Sequence, residues 1–238
     1  MRRLHASFRR ALVLENPHPS LDDYLREQGI EPERLPESAT QDVEYVLERL
    51  REGQHDLIFK RSRFEVDDAV LKASDRLAAV MLCCIGDDSV DKEACARHGV
   101  LVMNDPVSNG RSVAEMVMGE MIGLARRLFH ANESGRQHLW TKDSDRRYEL
   151  KGKVLSVIGL GNIGKQVAQL AEGFGMTIRF YDNAEVAREV GLALGWTPSK
   201  TLAEAFREAD VVSLHVSAED NRGQSNRALV TYEHLAEL

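Results

Sequence analysis

Short apolar runs recur along the first hundred residues of the chain. They are rich in leucine, valine and isoleucine and are bounded by polar or turn-forming residues, a pattern typical of buried strands. Helical periodicity separates the runs, and Gly29, Gly53 and Gly99 are predicted helix stops. Strands that alternate with helices indicate parallel βαβ units. The predicted strands are 11–14, 56–60, 77–84 and 100–102, and the predicted helices begin at Ser20, Val43 and Asp91.

The pattern changes at Asn104-Asp105-Pro106, which predicts a break in the chain. Ser112-Val113-Ala114-Glu115 has the spacing of a capping box and predicts the start of a long helix. Residues 132–151 are polar and irregular, and a second strand–helix series follows them. We therefore place a domain boundary near the proline, which divides the chain into 1–106 and 107–238.

A glycine-rich segment carries the strongest chemical signal. The apolar run 153–158 leads into Gly159-Leu160-Gly161-Asn162-Ile163-Gly164 and then into an apolar helix. Gly159 permits a tight turn, Gly161 lets the backbone approach a pyrophosphate, and Gly164 allows the helix to pack against the strand. We expect the pyrophosphate at the positive end of this helix, near the N–H groups of Asn162 and Ile163. The spacing predicts a dinucleotide site.

An acidic residue follows the next predicted strand. Asp182 ends the run 176–181, where its carboxylate can accept hydrogen bonds from the ribose hydroxyls of adenosine. The same charge repels a 2′-phosphate, so the sequence favours NAD over NADP. A glycine-rich turn in another kind of α/β domain is the alternative interpretation.

His215 and Val216 follow a further predicted strand, 209–214, which comes after a predicted helix. In a doubly wound sheet this strand lies across the switch point from 153–158, so both residues are expected beside the adenine pocket. Because that pocket is far from the nicotinamide, packing of His215 against the cofactor is favoured over proton transfer.

Composition and charge narrow the class of protein. The chain has 31 basic and 38 acidic residues, a net charge of −7 that argues against general nucleic-acid binding. No apolar run approaches the ~20 residues of a membrane span. Cys83, Cys84 and Cys95 have neither disulfide nor metal-ligand spacing and are interpreted as small buried hydrophobes. We expect a cytoplasmic protein without a metal site.

Five stretches of the chain are typical of one known family of enzymes. They are Phe59-Lys60-Arg61-Ser62-Arg63, Cys84-Ile85-Gly86 with Val90-Asp91, Asn104–Glu115, Gly159–Asp182 and Ala209–Val216. Through them the chain resembles, from about Ala11 to its last residue, the D-isomer-specific 2-hydroxyacid dehydrogenases. The form of Ser108-Asn109 with Arg111–Glu115 points to the phosphoglycerate branch of that family, which acts in serine biosynthesis.

This resemblance implies a flavodoxin-like substrate domain followed by a Rossmann NAD-binding domain. It also implies NAD-dependent oxidoreduction of a small 2-hydroxy or 2-oxo acid, and a homodimer or higher oligomer formed through the NAD domain. The ligand is expected in the cleft between the two domains. A third implication is that the Arg, His and Glu of the reaction lie downstream of the position of Leu238. We therefore expect a C-terminally shortened chain whose Rossmann domain is incomplete and which has no catalytic residue of its own.

Site residues are carried over from the family by position. Arg61, Ser62 and Asn109 are implied substrate contacts, and Arg63 and Lys142 are candidates for a substrate phosphate. Residues around Gly86 are expected to offer backbone N–H groups to the substrate carboxylate. For the basic residues, ordinary solvated surface charge is the alternative. The residues implied to hold NAD are Asn162, Ile163, Asp182, His215 and Val216.

Two positions depart from the family pattern. Asp87-Asp88 places two acids beside a loop expected to meet an anion, which weakens binding unless their side chains turn outward. Ser217 stands where the family usually has proline. Two other functions remain open: a non-catalytic NAD-binding or regulatory module, and a structural partner that dimerises through the helix starting at Ser112.

Overall fold

The computed structural model describes residues 7–140, 142–220 and 223–238. The chain divides into two compact units, Met1–Asn109 and Gly110–Leu238. This division falls just after the predicted boundary at Pro106. The substrate-binding role of the first part stays a prediction.

Within the described residues, the first unit is built on a five-stranded sheet in the order β2-β1-β3-β4-β5. All neighbouring strands run parallel, and this order is that of flavodoxin-like sheets. The strands are β1 (Arg10–Val13), β2 (Glu31–Arg34), β3 (Leu57–Lys60), β4 (Ala79–Leu82) and β5 (Leu101–Asn104).

The helices of the first unit cover both faces of its sheet. Leu12 and Ile58 pack on one face with helical residues such as Val46 and Val70, whereas Ala11 and Leu57 pack on the other with Leu25. This alternation follows from the two-residue period of a strand. The helices are α1 (Ser20–Glu27), α2 (Val43–Gly53), α3 (Asp68–Ala73) and α4 (Lys92–His98), with a 3₁₀ turn at Ala39–Gln41.

Two elements of the first unit were absent from the sequence prediction, α3 and the edge strand β2. The sequence of β2 is Glu-Pro-Glu-Arg, which has no apolar alternation, and proline is tolerated there because only β1 pairs with it. The predicted stop at Gly53 is also displaced. Gln54, with φ of 48°, adopts the left-handed conformation, while a Cβ on Gly53 would lie 2.1 Å from the His55 ring.

The second unit contains a parallel sheet in the order β8-β7-β6-β9 over the described residues. Numbered within the unit, this is 3-2-1-4, the first part of the Rossmann order. The prediction of a doubly wound α/β protein is therefore confirmed. Its strands are β6 (Val154–Ile158), β7 (Thr177–Tyr181), β8 (Thr197–Pro198) and β9 (Val211–Leu214).

Several predicted boundaries in this unit are wrong. Helix α5 begins at Gly110, so Ser112 lies inside its first turn and cannot be the N-cap. A second helix extends into 132–151, which the sequence predicted as irregular. The short elements α8 and β8 were not predicted. The helices are α5 (Gly110–Ala125), α6 (Leu128–Arg136), α7 (Asn162–Gly173), α8 (Glu185–Ala193), α9 (Leu202–Arg207) and α10 (Tyr232–Glu237).

Across the described ranges, no helix is both long enough and apolar enough to cross a membrane. In the same ranges, no group of three or more His, Cys, Asp or Glu side chains could hold a metal ion.

Candidate functional site

Two glycines of the second unit are required by packing at the carboxyl end of β6. Gly159 has a φ of 91°, and a Cβ there would lie 2.6 Å from the carbonyl oxygen of His215. A Cβ on Gly164 would lie 2.1 Å from the carbonyl oxygen of Gly159. Since both obstacles are backbone atoms, neither can move aside. These glycines let the turn, α7 and the end of β9 meet closely.

Gly161 differs from its two neighbours. Its φ is −73°, which any residue can adopt, and a Cβ there would meet nothing within 4 Å. The protein's own packing therefore gives no reason for glycine at this position. Gly161 is the N-cap of α7, and among the described residues no side chain caps this helix. A bare backbone at the positive end of a 12-residue helix fits a pyrophosphate.

Asp182 lies directly against this turn. Its Oδ2 accepts a hydrogen bond from the Leu160 N–H at 2.7 Å, and its Oδ1 accepts one from the Ala184 N–H at 2.8 Å. The side chain is half-buried. A carboxylate has about four acceptor positions, so the oxygens can accept further bonds from a ligand's hydroxyls.

A cleft of about 390 Å³ opens between the ends of β6, β7 and β9. Asn162, Ile163 and Gly164 form the first turn of α7 and do not line it. Of the residues predicted to bind the cofactor, those that line the cleft are Gly159, Gly161, Asp182, His215 and Val216.

His215 lines this cleft, and its ring Nε2 lies 2.8 Å from Ser213 Oγ. Burial lowers the pKa of His215, so the ring is neutral at neutral pH. A neutral, half-buried imidazole suits packing against an uncharged aromatic base. The sequence missed a second acid at the rim, Asp220, whose Oδ2 accepts a hydrogen bond from Asn183 Nδ2 at 2.7 Å.

The first unit has its own cavity, of about 490 Å³, at the carboxyl ends of β3, β4 and β5. Of the predicted substrate contacts, Arg61 and Asn109 line it. Ser62 and Gly86 are exposed but do not line it. Lys142 is exposed and belongs to the second unit.

The two arginines of the Arg-Ser-Arg motif have different partners. The Arg63 guanidinium forms an ion pair with Glu37, and its Nε lies 3.9 Å from Glu15 Oε1. The Arg61 guanidinium forms no ion pair with any residue that the structure describes. Arg61 is therefore the cation of this cavity that remains available to an anion.

The acidic loop after Gly86 is partly neutralised by the chain itself. Lys92 Nζ lies 3.0 and 3.1 Å from the two carboxylate oxygens of Asp87. Asn104 Nδ2 donates a hydrogen bond to the Ile85 carbonyl at 2.7 Å and so ties the loop to the end of β5. The structure thus turns one of the two acids towards a cation.

Two buried charged residues beneath these loops were missed by sequence reasoning. The Glu15 carboxylate accepts hydrogen bonds from the N–H groups of Arg61, Arg63 and Phe64. Lys60 is fully buried and donates from Nζ to Ser89 Oγ at 2.5 Å. Burial lowers the pKa of Lys60. An acid immediately after an apolar run was the one signal that could have drawn attention to Glu15.

Comparison with known proteins adds a family to this geometry. Residues 118–238 match the model of the family described as D-isomer specific 2-hydroxyacid dehydrogenase, NAD binding domain. Curated relatives include D-3-phosphoglycerate dehydrogenase of Escherichia coli K12, 37% identical over 207 residues, and that of Dictyostelium discoideum, 35% identical over 207 residues. Each match covers 86% of this chain and 48% of the relative. The chain thus spans about half the length of these relatives.

Solved structures show the same likeness. NAD⁺-bound 3-phosphoglycerate dehydrogenase from Entamoeba histolytica is 27% identical with a TM-score of 0.74, covering 98% of this chain and 69% of that one. The TT0316 protein from Thermus thermophilus is 26% identical with a TM-score of 0.76, covering 87% of this chain and 64% of that one.

Proposed function

The chain belongs to the D-isomer specific 2-hydroxyacid dehydrogenase family and carries its NAD-binding domain, and from this premise we propose that it serves the NAD-dependent oxidation of a small D-2-hydroxy acid. The observation that carries the proposal is the bare Gly161 backbone at the start of α7, with Asp182 against the same turn.

The cofactor residues follow from this arrangement. The first turn of α7, with Asn162 and Ile163, would hold the pyrophosphate, and Asp182 would accept hydrogen bonds from the ribose hydroxyls. Neutral His215 and Val216 would pack against the adenine. When bound, NAD supplies the nicotinamide ring that accepts a hydride. The carboxylate of Asp182 disfavours a 2′-phosphate in the same place, so NAD is preferred over NADP.

The acid is proposed to bind in the first unit, where Arg61 offers a guanidinium that forms no ion pair with the described residues and Asn109 offers an amide. Ser62, the backbone near Gly86, Arg63 and Lys142 remain candidate contacts. Arg63 is the weaker of the two arginines because Glu37 already occupies it. We propose 3-phosphoglycerate as the first substrate to test, because it gives its name to the curated relatives. The positions of the reaction's Arg, His and Glu stay a prediction.

Calorimetric titration of this chain with NAD, NADP and 3-phosphoglycerate tests the proposal directly. We expect NAD to bind at least ~10-fold more tightly than NADP, and Arg61→Ala to weaken 3-phosphoglycerate binding about tenfold or more. Arg51→Ala, which removes an exposed arginine of α2, is the matched control. Failure of NAD to bind contradicts the cofactor assignment. NAD binding without binding of 3-phosphoglycerate or another 2-hydroxy acid supports a non-catalytic NAD-binding module instead.

We also propose a homodimer formed through the second unit. Its α5–α6 region exposes large apolar side chains, which favours burial against a second copy. These are Met116, Leu124, Leu128, Phe129 and Trp140. Light scattering after size exclusion would give twice the chain mass, whereas a strict monomer contradicts the proposal.

Three cysteines that form no disulfide are consistent with a cytoplasmic location.

A further inference from the structure

Glu15 has an unusual place in the first unit. It comes just after β1, it is 2% exposed, and its φ of 61° is left-handed, a conformation that L residues other than Asn and Asp rarely adopt. Burial of a carboxylate is costly unless hydrogen bonds compensate it. The surroundings of Glu15 therefore need to supply donors.

The turn after β3 supplies these donors. The backbone N–H of Arg61 donates to Glu15 Oε2 at 2.7 Å, and the N–H groups of Arg63 and Phe64 donate to Oε1 at 2.6 and 2.8 Å. Hydrogen bonds to an ionised acceptor are among the stronger ones in proteins. One side chain thus fixes the backbone of the whole turn that carries the Arg-Ser-Arg motif.

The position of this contact in the sheet is also specific. The order β2-β1-β3-β4-β5 has its switch point between β1 and β3, and ligands of such sheets bind outside the carboxyl ends of the strands at that point. Glu15 follows β1 and Arg61 follows β3, so both flank the switch point.

Lys60 provides the opposite charge. It is the last residue of β3 and is fully buried, and the negative charge of Glu15 favours its charged form against the effect of burial. Its Nζ bonds Ser89 Oγ in the loop that follows Gly86. The two buried charges therefore stand beneath the two segments that hold the predicted substrate contacts.

We propose that Glu15 is a positioning residue of the acid-binding site, which holds the Arg61–Phe64 turn so that the Arg61 guanidinium stands in the cavity. This inference rests on the proposed function of that cavity. Glu15 itself does not line the cavity and reaches the ligand through the turn.

The same unit contains a matched control, Asp56, at the amino end of β3 and so at the end opposite the proposed site. Asp56 is fully buried and accepts hydrogen bonds from the N–H groups of Arg9 and Arg10 at 2.7 and 3.0 Å, together with the Arg76 side chain. Burial opposes its charge, but these bonds outweigh burial and lower the pKa of Asp56. Asp56 precedes β3, whereas Glu15 acts beyond the end of β3. Both substitutions disturb a buried carboxylate, but only one lies at the site.

The test compares Glu15→Gln with Asp56→Asn in this chain. The glutamine has one oxygen in place of two and turns an NH₂ group towards N–H donors, so it cannot satisfy the turn. We expect Glu15→Gln to weaken 3-phosphoglycerate binding about tenfold or more, with NAD affinity within about twofold. Asp56→Asn is expected to lower the unfolding midpoint and to leave both affinities within about twofold. Amide exchange at Arg61, Arg63 and Phe64 should accelerate only in Glu15→Gln.

Equal effects of the two variants on 3-phosphoglycerate binding would overturn the inference, because Glu15 would then act through stability alone. If Arg61→Ala weakens binding and Glu15→Gln does not, the inference fails and the proposed function stands. If the wild-type chain does not bind the acid, the proposed function fails. In that case amide exchange still tests the role of Glu15, because unaltered exchange in Glu15→Gln would show that Glu15 does not hold the turn. If Glu15→Gln does not fold, Glu15→Asp, which keeps the charge with a shorter reach, takes its place and is expected to show a smaller loss of binding.

Discussion

In each of the two units, a carboxylate that follows one strand holds the turn that follows the neighbouring strand, at the carboxyl ends of a parallel sheet. In the first unit, Glu15 after β1 holds the turn after β3; in the second, Asp182 after β7 holds the turn after β6. The two carboxylates differ in exposure. Glu15 is buried and bonds three backbone N–H groups, whereas Asp182 is half-buried and bonds two.

This difference separates positioning from binding. The buried Glu15 is occupied by the backbone, so an exposed side chain of the turn, Arg61, is left to meet a ligand. The half-buried Asp182 borders the cleft and keeps acceptor capacity for a ligand's hydroxyls. Similar geometry therefore yields two different sites. In the first unit the ligand would meet the Arg61 side chain, and in the second it would meet backbone N–H groups with the acid Asp182 beside them.

Replacing each of the two carboxylates with alanine should give the largest difference in stability between the two units. Glu15→Ala leaves three N–H groups of one turn without their acceptor, the one on Phe64 being buried, and we expect it to lower the free energy of unfolding by about 3 kcal/mol or more. Asp182→Ala removes the acceptor of two N–H groups beside the open cleft that Asp182 and Ala184 line, and we expect a loss of about 1 kcal/mol with NAD binding weakened about tenfold. Urea denaturation followed by circular dichroism measures both. Equal destabilisation would break the comparison.

Gly164→Ala should have the next largest effect. Its Cβ would lie 2.1 Å from a backbone oxygen, so α7 must move away from β6, at a cost of about 1–3 kcal/mol. NAD affinity should fall with it, since the helix start is displaced. Fluorescence of Trp196, which is buried in the second unit, reports this unfolding. Unchanged stability would show that the helix and strand are not in close contact.

Acidification should destabilise the first unit through His55. This ring is fully buried, with Nε2 3.0 Å from Glu33 Oε2, and burial is the main cause that lowers its pKa. The folded state therefore binds fewer protons than the unfolded state between the lowered pKa and the ordinary value of 6.5. The stabilisation is present above about pH 6.5 and is lost as the pH falls through the lowered pKa. Thermal melts of the wild type and His55→Gln at about pH 7.5 and 5.5 test this; the variant should show the shallower dependence.

Gly161→Ala should change stability least. The added Cβ meets nothing within 4 Å, and we expect the free energy of unfolding to change by less than about 0.5 kcal/mol. NAD affinity should nevertheless fall about tenfold, because the methyl group would lie where the pyrophosphate approaches the backbone. Calorimetry and urea denaturation of the same variant separate the two effects. Unchanged NAD affinity would remove the main support for the cofactor site.

The glycine turn of the second unit could be predicted in detail. Gly159, Gly161 and Gly164 lie within six positions, and their spacing directly after an apolar run is a local pattern that can be read without the fold. Buried strands such as β3 and β6 could also be predicted, because an apolar run indicates a segment that the rest of the unit covers. The edge strand β2 could not, because a strand paired on one side can be polar.

The chemistry of the first unit was decided by tertiary structure. Glu15 meets its partners 46 to 49 residues later in the chain, and no local pattern encodes that meeting. The same holds for the two arginines of one motif, where Glu37 pairs with Arg63 and leaves Arg61 unpaired among the described residues. By itself, the sequence determined the buried strands and the glycine turn, because apolar runs and residue spacing are local features of the chain. Only the fold decided which charges meet, because electrostatic partners depend on proximity in space.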